Sequence, residues 1–187
     1  MADALEPIRK ALKDAKLTRE ALPWRLVSER AVGGLIAVGF ERNNENLLVV
    51  SPNGQSVIDC TSGEVVYRNR EENGYDIENL QGRRLDNPSS PPFSMSGLDG
   101  GKLRAGTSDG WGVQEIAIEW PKTHCFLEPP NASIFFSKTS SYDPFDRDST
   151  FFLLSKDISE TRAFGFSWTG KTLIWADSSD LRIWHRQ

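Results

Sequence analysis

The stretch that decides the fold is GFERNNENLLVVSPNGQSVID, residues 39–59, and it has a second copy in GFSWTGKTLIWADSSDLRIWH, residues 165–185. Each copy begins with Gly-Phe, passes through a polar turn into an apolar run, and ends in another short apolar run after a second turn. The copies align without a gap, from 39 to 165, at an offset of 126. Repetition of short strand pairs indicates an architecture built from repeated β units.

Outward from the first copy, the sequence predicts an antiparallel meander of four strands. The predicted strands are residues 35–41, 47–51, 55–60 and 64–68. The connections between them carry turn residues, such as Pro52-Asn53-Gly54 and Thr61-Ser62-Gly63, which favour tight hairpins. A meander of this kind is the basic unit of antiparallel all-β proteins.

The rest of the chain is also predicted to be mainly β. A short amphipathic helix is expected at residues 7–16, where Ile8 and Leu12 share one face and Pro7 occupies the first turn. Further strands are predicted at residues 24–28, 102–107, 112–120, 124–127, 132–137, 151–155, 162–168, 172–177 and 181–185, with a polar loop at 138–149. We therefore expect one domain over 1–187, with a helical segment at 1–20 and a β-rich body at 24–187.

The repeated units resemble the blades of WD40-type β-propellers. The second copy carries Phe166-Ser167-Trp168-Thr169-Gly170, Ser179-Asp180 and Ile183-Trp184, and the first carries the turn Thr61-Ser62-Gly63 into an outer strand. Neither copy has the full Gly-His…Trp-Asp signature. The resemblance implies a small four-bladed propeller-like arrangement, with a β-sandwich or a curled meander as the alternatives. Residues 97–121 are also similar to a stretch of uncharacterised bacterial proteins of this size, which brings no activity with it.

The offset between the copies predicts how the sheet structure is completed. An offset of 126 is three steps of about 42 residues, a typical propeller repeat. The second copy stops before its outer strand, while residues 24–28 precede the first copy as an extra strand. Because a strand without a partner exposes an edge, we expect residues 24–28 to pair with residues 181–185.

Composition narrows the functional classes. The net charge of −4 argues against binding to nucleic acid, which requires clustered basic side chains, and is compatible with a basic protein partner. Cys60 and Cys125 lie far apart without a CxxC motif, which predicts buried free thiols in a reducing compartment. No signal peptide or membrane-spanning run is evident, so we expect a soluble cytoplasmic protein that is a monomer or a small homo-oligomer.

No catalytic, metal or cofactor site is predicted. His124 and Cys125 are adjacent, and neighbours in a strand point to opposite faces, so they would not form a catalytic pair. The loop containing Asp143, Asp146 and Asp148 lacks the glycine and the terminal glutamate of a calcium-binding loop. His185 is the other histidine, and no recognised nucleophile motif accompanies it.

Aromatic and acidic residues at turns remain as candidates for binding. Trp111 and Trp168 lie at turns, where an exposed tryptophan can anchor a protein partner. Asp109 and Asp180 lie beside turns of the same kind. We interpret the chain as a non-enzymatic protein-binding module, and an immunity-type protein that neutralises a basic toxin is one form of this interpretation. The alternative is a hydrolase whose carboxylates, with Asp99, Asp109 and Asp180 as candidates, converge at one mouth of the β structure.

Overall fold

The computed structural model describes residues 6–17, 19, 23–117, 132–138, 151–155 and 161–187. It confirms a mainly antiparallel β protein with one short helix. The helix is α1 (Glu6–Asp14), and the longer strands are β1 (Arg25–Ala31), β2 (Ala37–Phe40), β3 (Asn46–Ser51), β4 (Gly54–Asp59), β5 (Glu64–Asn69), β10 (Trp111–Ala117), β11 (Ala132–Lys138), β12 (Phe151–Ser155), β13 (Thr161–Phe166), β14 (Thr172–Asp177) and β15 (Asp180–His185). Four strands have two residues each: β6 (Tyr75–Asp76), β7 (Gln81–Gly82), β8 (Phe93–Ser94) and β9 (Ser96–Gly97).

The chain divides into two compact units, which are described separately. The first comprises residues 1–21 and 106–159, and the second comprises residues 22–105 and 160–187. In the first unit, β10, β11 and β12 form a three-stranded antiparallel sheet. Leu17, which follows α1, forms an isolated parallel bridge with Leu153 of β12. The single domain expected over 1–187 stays a prediction.

The second unit contains the two copies of the repeat, each in its own sheet. The first repeat sheet has the strand order β5-β4-β3-β2-β9, and the second repeat sheet has the order β1-β15-β14-β13. A small third sheet has the order β6-β7-β8. In the first repeat sheet, β2, β3 and β4 are antiparallel neighbours in chain order. In the second, β13, β14 and β15 have the same arrangement.

The strand registers of the two repeat sheets match at the offset read from the sequence. Phe40 lies opposite Leu47, and Phe166 lies opposite Leu173. The same correspondence holds along the next pair of strands, where Leu47 lies opposite Ile58 and Leu173 lies opposite Trp184. The gapless sequence alignment is therefore also an alignment of paired backbones.

The N-terminal strand completes the second repeat sheet, as predicted. β1 pairs antiparallel with β15, with Arg25 opposite His185 and Ala31 opposite Asp180. The pairing skips Val27, and the equivalent pairing of β4 with β5 skips Val66 at the corresponding place. The expected pairing of residues 24–28 with residues 181–185 is thus confirmed, and the structure adds a β-bulge at the same position of both outer strands.

The two repeat sheets share one apolar core within the second unit. The side chains that form it are Leu35, Val38, Phe40, Leu47, Val49, Ile58 and Cys60 from the first repeat sheet and its flanks, and Ala163, Ile174, Ala176, Leu181 and Ile183 from the second. A core shared between two sheets is compatible with the sandwich and with the propeller-like arrangement, so both stay predictions. Among the described residues the four sheets are separate and none closes into a barrel, so the propeller-like arrangement is not confirmed.

Some local predictions differ from the structure. The strand expected at residues 102–107 is wrong: Arg104 forms a single bridge with Phe166, and Gly106 forms one with Gly112. Because each of these two residues pairs with a different segment, neither bridge extends into a ladder of paired residues. Strands β6 to β9 were missed because two residues are too short to show a period of two.

Other predictions concern residues that the structure covers only in part. Cys60 is a buried free thiol, as expected, whereas Cys125, His124 and the loop carrying Asp143 lie outside the described residues. No helix in the described part of the chain is both long and apolar enough to cross a membrane.

Candidate functional site

Trp168 is a surface tryptophan whose position is fixed by contacts on three sides. It lies in the turn between β13 and β14 and is 39% exposed. Its indole N–H donates a hydrogen bond of 3.2 Å to the carbonyl oxygen of Phe40, and Arg104 donates to the carbonyl oxygen of Trp168 itself. The Arg42 guanidinium carbon lies 4.9 Å from the centre of the ring, a cation–π geometry. The turn therefore presents a large aromatic surface in one orientation.

A chain of polar contacts lies beside this tryptophan and links the two repeat sheets. The Glu45 carboxylate accepts hydrogen bonds from the hydroxyl groups of Thr169 and Thr172. Thr172 Oγ1 also lies 3.0 Å from His185 Nδ1. We call Trp168, Arg42, Glu45 and Thr169 together the Trp168 patch.

The contact between Thr172 and His185 has the wrong direction for catalysis. Thr172 has one hydroxyl proton, and it goes to Glu45, so His185 Nδ1 must be the donor to Thr172 Oγ1. In nucleophilic catalysis the imidazole accepts the proton of the hydroxyl group. Thr172 is also fully buried. The Glu45–Thr172–His185 chain is therefore a structural clamp between sheets.

The electrostatic environment keeps His185 neutral near neutral pH. Burial lowers the pKa of His185 below its ordinary value, and Lys171 lowers it further, while Glu45 and Asp59 act in the opposite direction. A neutral imidazole with its proton on Nδ1 suits the hydrogen bond to Thr172. The sequence held a signal for this contact, since positions 172 and 185 are opposite each other in the register that the repeat predicts.

The four residues predicted for binding lie in two different units. Trp111 begins β10 in the first unit, is half-buried, and has the Lys138 ammonium nitrogen 5.7 Å from its ring centre. Asp109 is exposed in the turn before it. In the second unit, Asp180 is the first residue of β15 and lies at the opposite end of β14 from Trp168.

The aspartates named for the hydrolase alternative take part in separate local contacts. Asp180 receives a hydrogen bond of 3.1 Å from the Ser179 hydroxyl group, and Asp99 receives one of 3.3 Å from the Tyr75 hydroxyl group. Asp109 belongs to the other unit. These three carboxylates have the roles of turn and surface residues.

A groove that the sequence did not reveal lies in the second unit. Its volume is about 550 Å³, and Glu71, Glu72, Asp76 and Arg83 are among its lining residues. Hydrogen bonds from the side chain and backbone N–H of Asn79 lower the pKa of Asp76, whereas a general acid at neutral pH needs a raised pKa. Within the described residues, no group of three or more His, Cys, Asp or Glu side chains could hold a metal ion.

In comparisons with known proteins, the chain matches no family model, no curated protein and no solved structure.

Proposed function

We propose that this chain is a cytoplasmic, non-enzymatic protein-binding module in which Trp168 anchors the partner. The observation that carries the proposal is an exposed tryptophan with three separate contacts that fix its orientation. Tryptophan is enriched at the energetic centres of protein interfaces. A ring already held in place loses little conformational entropy on binding.

The contrast with other tryptophans of the second unit supports this role. Trp24 and Trp184 are fully buried, and Trp175 is nearly so. Trp168 instead leaves part of its apolar surface in water, next to the exposed polar side chains of Arg42 and Thr169. An aromatic centre with a polar rim is the usual composition of a protein interface.

The charge distribution favours a basic partner. Residues 71–86 have a net charge of −3, whereas the whole chain has a net charge of −4. The acidic residues of this segment are Glu71, Glu72, Asp76, Glu78 and Asp86, and its basic residues are Arg83 and Arg84. Arg84 links this acidic segment to the loop carrying Arg42, through an ion pair of 3.2 Å with Glu41. A basic toxin neutralised by an immunity-type protein is the most specific form of this proposal.

A peptide selection tests the proposal without a known partner. A random peptide display library is selected against the wild-type protein, and the enriched peptides are measured against Trp168→Ala and against Leu98→Ala, a matched control that truncates another exposed apolar side chain. We expect basic peptides whose affinity falls at least about tenfold in Trp168→Ala, the loss typical of a hot spot, and stays within about twofold in Leu98→Ala. If the peptides bind both variants equally, Trp168 is not part of the interface.

The hydrolase alternative has a separate location and a separate test. The groove lined by Glu71, Glu72 and Asp76 is where carboxylates come together in the second unit. Chromogenic glycosides, esters and phosphates are incubated with the wild-type protein and with Glu72→Gln. Turnover that Glu72→Gln abolishes would establish an enzyme in place of a binding module.

A further inference from the structure

A second cavity opens between the outer strands of the two repeat sheets. Its volume is about 160 Å³, and it is lined from β1 and the following loop by Arg30 and Val32, and from β5 by Val65 and Arg68. Strands β3 and β4 supply the floor, which includes Val49 and Ile58. The N-terminal strand β1 and the outer strand β5 therefore form two sides of the cavity.

The cavity contains two positive charges and no carboxylate in its lining. Arg30 donates hydrogen bonds to the Ser28 hydroxyl group and to the carbonyl oxygen of Gly63. Arg68 donates to the hydroxyl group of Ser56. All three acceptors are neutral. Since each guanidinium has five N–H donors, most of these donors have no acceptor among the described residues.

Two other arginines of the second unit have acidic partners. Arg84 forms ion pairs with Glu41 and Asp86, and Arg182 forms one with Glu29. No carboxylate of the described residues lies within ion-pair distance of Arg30 or Arg68. Two like charges at one cavity repel each other, so an anion that enters it would relieve this repulsion and gain charge-assisted hydrogen bonds.

The remaining lining is polar at Ser51, Asn53 and Ser56 and apolar at Val32, Val49, Ile58 and Val65, so an anion with a short apolar part fits it. Val49 and Ile58 are buried, Val32 is half-buried, and Val65 is 42% exposed although it is a valine. The volume is that of about five water molecules, which is room for a carboxylate with a short branched chain. A bare inorganic anion would leave the exposed surface of Val65 in water.

We propose that the cavity between β1 and β5 binds a small aliphatic carboxylate, with Arg30 and Arg68 on the carboxylate and Val49, Ile58 and Val65 around the hydrocarbon part. The carboxylate can come from a free short-chain acid or from the last residue of a peptide. None of these residues belongs to the Trp168 patch, so the site is independent of the proposed protein-binding function.

The test is an NMR titration of the full-length protein with isovalerate. We expect saturable shifts of the Nε–H resonances of Arg30 and Arg68 and of the Val65 methyl resonances. Arg68→Gln should weaken binding about tenfold, as expected for loss of a charge-assisted hydrogen bond. Arg70→Gln, which removes the same charge from an exposed position just beyond β5, should stay within about twofold. Titration with N-acetylglycylvaline compares the two sources, and whichever of the two ligands binds more tightly identifies the source.

Three results would overturn the proposal. The first is that isovaleramide, the neutral isostere, binds as tightly as isovalerate. The second is that sulfate competes with isovalerate at equal affinity, which would assign the site to any anion. The third is that Arg68→Gln binds isovalerate as well as the wild-type protein does. Arg68 is exposed, so its substitution leaves the core intact and the variant tests binding and not folding.

Discussion

The two repeat sheets have the same strand register but obtain their outer strands in different ways. In the first repeat sheet, β5 follows β4 after a short turn at residues 60–63. In the second, the outer strand β1 comes from the other end of the chain, so that the paired residues Glu29 and Arg182 are 153 positions apart. Both outer strands nevertheless have a bulge at the same place. The edge of the inner strands thus sets how the outer strand pairs, whichever part of the chain supplies it.

This difference has an entropic consequence. A strand that pairs across a short turn loses little chain entropy, whereas a strand that pairs across most of the chain closes a long loop. Formation of the second repeat sheet therefore loses more chain entropy. Burial of the apolar core that it shares with the first repeat sheet offsets part of this loss. A crosslink that removes this loss of chain entropy should therefore stabilise the second repeat sheet more than the first.

The largest expected effect is stabilisation by a disulfide across the long closure. Glu29 and Arg182 are paired residues of β1 and β15, and Ser56 and Arg68 are the corresponding pair of β4 and β5, 12 positions apart. Cysteines at 29 and 182 should raise the free energy of unfolding by about 5 kcal/mol, against about 3 kcal/mol for cysteines at 56 and 68, because a disulfide removes more entropy from a longer loop. Urea unfolding of the oxidised and reduced forms measures both values.

Each reduced double variant is the control for its own oxidised form, since it lacks the same side chains and differs only in the crosslink. If the two disulfides raise the free energy of unfolding equally, loop length does not set how much each crosslink stabilises the protein. A long crosslink that destabilises the protein would show that the paired residues are not close enough in solution to accept it.

The sequence was sufficient to predict the inner strands and their completion by β1. Strands such as Leu47–Val50 have a buried apolar run bounded by polar turns, which is a local signal, and the offset of 126 made the two copies support each other. The pairing of β1 with β15 was predictable because a missing outer strand in one place matched an extra strand in another. The two-residue strands and the path of residues 102–107 have no such signal, since they depend on single contacts with distant residues.

The candidate site was predictable only in part. A tryptophan in the Ser167–Gly170 turn predicted an exposed side chain, and Trp168 is 39% exposed. Its role as an anchor for a partner stays a prediction. The contacts of Trp168 with Phe40 and Arg42 depend on how the two repeat sheets pack, which the sequence does not specify. Arg30 and Arg68 are far apart in the chain, so the cavity between them could be found only from the pairing of the strands.

A smaller effect is expected from the glycine at the start of each copy. A Cβ atom on Gly39 would lie 2.7 Å from the carbonyl oxygen of Ser94, and one on Gly165 would lie 2.5 Å from Leu103 Cβ. Since another segment crosses each strand closely at the same repeat position, Gly39→Ala and Gly165→Ala should each cost about 1–3 kcal/mol. Thermal or urea unfolding measures the loss.

Gly33→Ala is the matched control, because a Cβ atom at Gly33 meets nothing within 4 Å. This substitution should change the free energy of unfolding by less than about 0.5 kcal/mol. Gly165 also has a φ of +148°, so backbone strain adds to its steric clash, and Gly165→Ala should be the more costly of the two. If Gly39→Ala is the more costly substitution, then Met95 and Ser94 beside Gly39 move less readily than Leu103 does beside Gly165.

The smallest expected effect is a pH dependence that only the second repeat sheet has, because His185 corresponds to Asp59 in the first. The pKa of His185 is lowered in the folded protein, mainly by burial, from an ordinary value of 6.5. As the pH falls below that value, the unfolded chain binds the proton before the folded protein does, so the free energy of unfolding decreases. His185→Asn retains a hydrogen-bond donor toward Thr172 but cannot titrate. Urea unfolding between about pH 7.5 and about pH 5 should therefore show a shallower decline for His185→Asn than for the wild type, above the range in which carboxylates titrate. Parallel curves for the two proteins would mean that the imidazole binds protons equally in the folded and unfolded states, so that the fold does not lower the pKa of His185.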